Sequence, residues 1–174
     1  EHARQRAHVI TLVGLAVHPV KSTAVRHVDQ AHVEPWGLHD DRRWMIVDPT
    51  GECLTAREHA PLLTVRAMTA TTDPGLPVPL RLRAPDVEPL DVDQPLADPV
   101  TVTVHGRSLD AVCAPPEATT WLTAALGIDG LLVQDPLAGM GVSAGRMPPL
   151  LASGFFLSGI GLISMVAGIP SRLR

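Results

Sequence analysis

Apolar residues along this chain fall in short runs, broken by turn-forming residues about every eight to twelve positions, the spacing of an antiparallel barrel or sandwich. Val9 to Val20 carries a continuous apolar run (Val9, Ile10, Leu12, Val13, Leu15, Val17) that His18-Pro19 ends, which predicts a first strand. From Val25 to Glu34 the pattern roughly alternates, with Val25, His27, Asp29, Ala31 and Val33 sharing one parity, until Pro35-Trp36-Gly37 punctuates it. Arg43 to Val47 reads as a short strand stopped by the Asp48-Pro49-Thr50-Gly51 turn, and Cys53 to Ala56 as the strand returning from it. Further strands are expected over Leu62 to Thr71, Val78 to Arg83, Leu90 to Val92, Val100 to Val104, Leu109 to Cys113 and Leu131 to Gln134. One helix interrupts the series: Pro115-Pro116-Glu117 opens it, Trp121, Leu122, Ala125 and Leu126 form its apolar stripe, and Gly127 stops it.

These elements predict a mainly β fold, a small antiparallel β-barrel with one short α-helix, followed by an apolar C-terminal segment. Closing the strands into a barrel removes the open edges that so many short strands would otherwise expose. The expected organisation is a barrel domain over residues 9–135 and a separate apolar tail over 136–174.

Composition narrows the function classes. A hydrophobic share of 45% in 174 residues can fill a core, and 18% charge is too little for a disordered, solvating chain. A net charge of −4 and a pI near 6.0 argue against a general nucleic-acid binder. Cys53 and Cys113 are too few and too far apart for a disulfide scaffold or a close-spaced metal pair, and Glu1 to His8 lacks an apolar signal region, so the cytoplasm is the expected compartment. The start on Glu1 rather than Met reads as a fragment or a processed chain. The positive charges are uneven: Lys21 is the single lysine among 14 basic side chains, the rest being arginine.

Three patches in the first sixty residues carry candidate chemistry: His18-Pro19-Val20-Lys21-Ser22, Gly37-Leu38-His39-Asp40-Asp41-Arg42-Arg43-Trp44, and Leu54-Thr55-Ala56-Arg57-Glu58. The first sets an ammonium and a hydroxyl at the mouth of a turn after a buried strand, where backbone N–H groups can form a concave nest for an anion. Arg42 could add a planar, bidentate clamp. Each patch also has an ordinary reading: a solvated turn, an exposed Asp-Arg cluster, and a local Arg57–Glu58 ion pair. Free cysteines are most often small buried hydrophobes, and Trp36 and Trp44 more often pack than stack on a ligand. His27 and His32, five apart on a strand, face opposite sides and cannot share a metal.

Taken together, the segment HPVKS…GLHDDRRWMIVDPTGECLTAREHAPLLTV resembles the N-terminal β-barrel domain of MOSC proteins (molybdenum cofactor sulfurase C-terminal), whose relatives include the mitochondrial amidoxime-reducing component. The resemblance runs from about Val9 to Asp135 and is sharpest from Pro19 to Leu63. It implies a barrel packed against a following MOSC domain, with the molybdenum cofactor (molybdopterin) held between the two. It further implies that Lys21 and Ser22 hold the pterin phosphate, that Arg42 is the phosphate-side arginine, and that Arg57 stands on the same rim. Full-length members reduce N-hydroxylated compounds with electrons from a donor protein, or act in sulfur transfer. The MOSC domain, which brings the cysteine that ligates molybdenum, should begin after about Asp135, and no such segment follows. The expectation is therefore a cofactor-side domain, truncated and not catalytic alone, that needs a MOSC domain in cis or in trans. The reading from a different class is a non-catalytic binding or interaction barrel.

Met147 to Ser171 hold no charge and are rich in Gly, Ser, Leu and Ile, and Leu150 to Ile169 is twenty residues, long enough to span a bilayer. A frameshifted or truncated end accounts for the loss of charge and the absent second domain together. A membrane anchor through residues 150–169 is the alternative, and a strand-and-helix segment packed on the barrel is the third.

Overall fold

The computed structural model describes residues 11–135. In chain order the strands are β1 (Leu15–Val17), β2 (Arg26–Val28), β3 (Val33–Glu34), β4 (Gly37–Leu38), β5 (Trp44–Val47), β6 (Arg66–Met68), β7 (Leu80–Arg83), β8 (Leu90–Val92), β9 (Val100–Val104), β10 (Arg107–Cys113) and β11 (Leu131–Gln134). A short 3-10 helix spans Ala60–Thr64, and the α-helix α1 runs from Pro116 to Leu126. The α1 boundaries are those its sequence dictates. Pro116 sits where a missing N–H costs nothing, and Gly127 takes the left-handed conformation (φ 65°) while its N–H caps the carbonyl of Thr123 at 2.9 Å.

The strands form four sheets: a β1-β2 hairpin, a β3-β4 hairpin, a three-stranded β6-β7-β8 sheet and a four-stranded sheet in the order β5-β11-β10-β9. Period-2 alternation gives the four-stranded sheet two apolar faces. Trp44, Ile46 and Leu132 point into the larger core, which also takes Val20, Leu62, Val65, Ala67, Leu80, Leu82 and Val92. Met45, Val47, Leu131 and Val133 point the other way, into a smaller cluster with Val102 and Ala111. Ala118, Trp121 and Leu122, spaced i, i+3, i+4 on α1, close the larger core, and the Trp121 indole donates to the Glu88 carbonyl at 2.7 Å.

Among the described residues the mainly β class with a single α-helix agrees with the sequence pattern, but the sheets are not closed into one barrel. Isolated bridges join edges instead: Val20 to Trp44, Val47 to Cys53 and Glu52 to Thr103. The reason is local. The segment Gly51–Cys53 reaches both β9 and β5, but each contact lasts one residue, so it contributes bridges and not the returning strand expected over Cys53 to Ala56. Gly51 makes this close approach possible. Its φ is +89°, and a Cβ there would lie 3.2 Å from the Thr101 carbonyl oxygen.

Other expected strands are shorter than their hydrophobic runs. The stretch from Val25 to Glu34 breaks into β2 and β3, and Leu62 to Thr71 begins as the 3-10 helix because Pro61 opens it. Val9, Ile10 and the apolar tail over 136–174 lie outside the described residues.

A polar cluster fixes the β3-β4 hairpin. Arg43, only 12% exposed, is ion-paired to Glu34 and stacks over the Trp36 ring at 5.3 Å; its other partner is Asp135 at 3.4 Å. The Trp36 indole also donates to Glu34, and the His39 ring lies 2.9 Å from the same carboxylate. Burial alone would push the Glu34 carboxyl up. The hydrogen bond from His39, the charge of Arg43 and the remaining contacts outweigh it and hold the group below its ordinary value of 4.5.

Leu82, 1% exposed in the larger core, should cost ~2–5 kcal/mol when cut to alanine, read as a lowered midpoint in denaturant unfolding. A carboxylate whose pKa is lowered in the fold stabilises it above the unfolded value and loses that contribution as pH falls through the folded value. Stability should therefore drop as pH falls below 4.5, and Glu34→Gln should flatten that part of the curve, measured as unfolding free energy against pH.

Candidate anion-binding site

The Lys21-Ser22 turn is held by backbone pairing on one side and by buried side chains beneath. After β1 ends, the chain from His18 to Lys21 runs parallel to the segment Arg42–Trp44. The Arg42 N–H donates to the His18 carbonyl at 2.7 Å, the Trp44 N–H to Pro19 at 3.1 Å, and the Lys21 N–H to Trp44 at 2.8 Å. Thr23, fully buried, donates its hydroxyl to the Val20 carbonyl at 2.8 Å and so closes the turn from inside. Asp41 accepts the His18 N–H at 2.8 Å, and the His18 ring nitrogen Nδ1 lies 3.0 Å from the Thr23 carbonyl oxygen.

Two residues of the turn region carry positive φ without being glycine: Ser22 at 66° and Arg42 at 55°. Such conformations are uncommon for residues with a Cβ. The bond from the Lys21 N–H to Trp44 and the bond from the Arg42 N–H to His18 anchor the backbone at these two positions.

Lys21 is half-buried, and its Nζ lies 3.4 Å from the Cys53 Sγ. Burial pushes the Cys53 thiol up; the nearby Lys21 ammonium lowers it in part, and Glu58 and Glu52 raise it further. The net direction leaves a neutral sulfur beside the ammonium at neutral pH. Among the described residues no carboxylate forms an ion pair with Lys21, so its charge is not cancelled locally.

Arg42 stands on the adjoining segment, 55% exposed, paired with the carboxylate of its neighbour Asp41. An exposed pair of this kind contributes about 0–1 kcal/mol, so the guanidinium can exchange Asp41 for another anion at little cost. Arg57 is exposed on the turn after Leu54, where Glu58 and His59 donate their N–H groups to the Thr55 carbonyl. The local Arg57–Glu58 ion pair read from the sequence does not form; Glu58 accepts the Thr55 hydroxyl at 3.1 Å. The structure thus sets Lys21, Ser22 and Arg42 on adjoining backbone segments and leaves Arg57 on a neighbouring turn.

Sequence reasoning passed over three residues here. Cys53, expected from the sequence as a small hydrophobe, brings its sulfur to the ammonium of Lys21. Asp41 and Thr23 act through backbone groups that only the fold brings near. The one advance signal was the Asp48–Gly51 turn, which folds Cys53 back toward the strand carrying Trp44. By contrast Arg43, next to Arg42 in sequence, is taken up by Glu34 and Asp135.

The donor set of ammonium, guanidinium and hydroxyl suits an oxyanion. Among the described residues no group of three His, Cys, Asp or Glu side chains is placed to hold a metal ion. A groove of about 370 Å³ between β8 and α1, lined in part by Asp91, Asp93 and Glu117, has the wrong sign for an anion and includes none of these residues.

The family model for the MOSC N-terminal beta barrel domain matches residues 9–129. The molybdenum cofactor sulfurase of Danio rerio is 29% identical over 119 residues, which cover 67% of this chain and 14% of that protein. The molybdenum cofactor sulfurase of Drosophila grimshawi is 30% identical over 138 residues, covering 74% of this chain and 17% of that one. The chain thus matches a small part of the length of these curated relatives. A solution structure of a Bordetella bronchiseptica protein aligns with a TM-score of 0.44 at 19% identity, over 70% of this chain and 98% of that one. With the family model spanning well over half of the sequence, the chain belongs to the MOSC N-terminal beta barrel domain family.

Proposed function

We propose that this chain provides the cofactor-side domain of a MOSC-type molybdenum protein, and that its Lys21 turn receives the phosphate of the pterin cofactor. The observation that carries this reading is the unneutralised Lys21 ammonium beside Ser22 and Arg42, in a chain whose relatives are molybdenum cofactor sulfurases. Lys21 serves as a point charge, Ser22 as a hydroxyl donor and Arg42 as a planar clamp that gives up Asp41 for the ligand. Arg57, on the turn after Cys53, supplies a further cation at the rim.

The residues fit the phosphate end of the cofactor and not its metal end. When bound, the cofactor would supply molybdenum-centred redox or sulfur-transfer chemistry. This domain's own residues bind and orient the anionic end, and the Cys53 thiol, pushed up by burial, remains a neutral neighbour of Lys21. A MOSC domain, in cis or in trans, would complete the pocket and ligate the metal. The N-hydroxylated substrates and the electron-donor protein of the reductase members, or the sulfur transfer of the sulfurases, belong to that complete pocket.

The test is pterin and molybdenum content of the purified chain, alone and joined to a MOSC domain. The joined protein should carry both. Lys21→Ala and Arg42→Ala should each lower pterin affinity about tenfold or more, as expected for losing a hydrogen bond to a charged group. Pterin is read by fluorescence after oxidation, with circular dichroism confirming the fold. Unchanged loading in both variants, or a joined protein free of pterin, would overturn the assignment.

A further inference from the structure

The outer face of the β6-β7 hairpin holds a pair of arginines that the fold does not neutralise. Arg66 and Arg83 are direct cross-strand partners in antiparallel register, so both side chains leave the same face. Both are exposed, and among the described residues neither makes an ion pair or a hydrogen bond through its side chain. Like charges set directly opposite each other destabilise a sheet.

The same face shows the usual remedy one row away. Arg81 is the cross-strand partner of Asp91, and its guanidinium grips that carboxylate with two nitrogens, Nη2 at 2.7 Å. The Asp91 field reaches Arg83 as well, but both carboxylate oxygens are already taken by Arg81. Since Leu90 is the partner of Leu82, the next residue along β8 toward Arg83 is Pro89, which brings no charge. The sheet therefore supplies a carboxylate to Arg81 and none to the Arg66–Arg83 row.

Exposed apolar side chains lie on the segments leading into β2 and β6. The Ala24 N–H donates to the Val65 carbonyl at 2.9 Å, which sets Val25 beside the start of β6. Val25 is 47% exposed, and Leu63, two residues before Val65, is 57% exposed. Arginine combined with exposed aliphatic side chains is the make-up of a protein interface. A free phosphate or a nucleic-acid backbone would gain nothing from the apolar part.

We propose that this face docks an acidic segment of a partner protein, with two carboxylates received by Arg66 and Arg83 and an adjacent apolar side chain on Val25 and Leu63. The chemistry is that of Arg81 with Asp91, supplied from outside. This surface is independent of the Lys21 site and does not rest on the cofactor reading.

The experiment uses the whole chain and a short fluorescein-labelled peptide alternating glutamate and leucine, followed by fluorescence anisotropy. Binding should weaken with added salt, because screening shortens the reach of exposed charges. Arg66→Glu and Arg83→Glu should each weaken it about tenfold or more. The same substitutions should raise the thermal midpoint, since each replaces a like-charged cross-strand pair by an opposite one. Affinity and stability would thus move in opposite directions, which a purely structural role for either arginine would not produce. Arg66→Gln, which keeps the stem and drops the charge, should show both effects in weaker form. Four results would each overturn the proposal: no binding of the peptide, binding indifferent to all three substitutions, a lower midpoint in both glutamate variants, or equal binding of duplex DNA or phosphatidylserine vesicles.

Discussion

The backbone N–H and C=O of Trp44 both pair with the Pro19–Lys21 segment, while the strand that Trp44 begins pairs along its other edge with β11, and the rest of the domain depends on this double pairing. Without it the β1-β2 hairpin would have no ladder to the main sheet. The indole is 2% exposed and sits in the larger core, so one residue supplies both the hydrogen bonds and the apolar area that hold the two parts in register. Buried backbone groups are costly to leave unpaired, and a bulky buried side chain fixes which residue occupies the position.

The candidate site is a by-product of that pairing. Parallel alignment of His18–Lys21 with Arg42–Trp44 carries Lys21 and Ser22 next to Arg42, and β5 carries the returning segment whose Cys53 sulfur meets the lysine. The charges then sort by depth. Arg43, nearly buried, needs strong partners and has them in Glu34 and Asp135, while Arg42, exposed, keeps only a weak neighbour and stays free to exchange it. Two adjacent arginines thus differ in setting, one nearly buried with two carboxylate partners and one exposed with a single weak neighbour.

That the sheets among the described residues do not close into a barrel has the same origin. Strands of two to seven residues pair well within their own sheets, but the connections between sheets are single bridges through segments that bend sharply at Gly51 and Ser22. What holds the sheets together is the core between them, where Ile46 and Leu132 of one meet Leu80, Leu82 and Val92 of another and α1 packs against both. Continuous hydrogen bonding around a barrel is one way to protect strand edges, and covering them with packed segments is another.

Elements whose signals are local are legible in the order of the residues. The α1 boundaries follow from proline and glycine, β5 and its turn from Trp44 to Gly51, and the strands β8, β9 and β11 from their alternation or apolar runs, because propensity and turn chemistry act over a few residues. The sequence also singled out Lys21 and Arg42 as candidates, through an unusual choice of lysine and a set of motifs that resemble a family's. Long-range pairing settled that Arg43 and not Arg42 is taken up by Glu34 and Asp135, that Cys53 faces Lys21, that the sheets among the described residues do not close into a barrel, and that Arg66 meets Arg83. Each of these depends on which distant backbone groups pair. A one-residue change of register would give every side chain a different neighbour without altering the local pattern that the sequence displays.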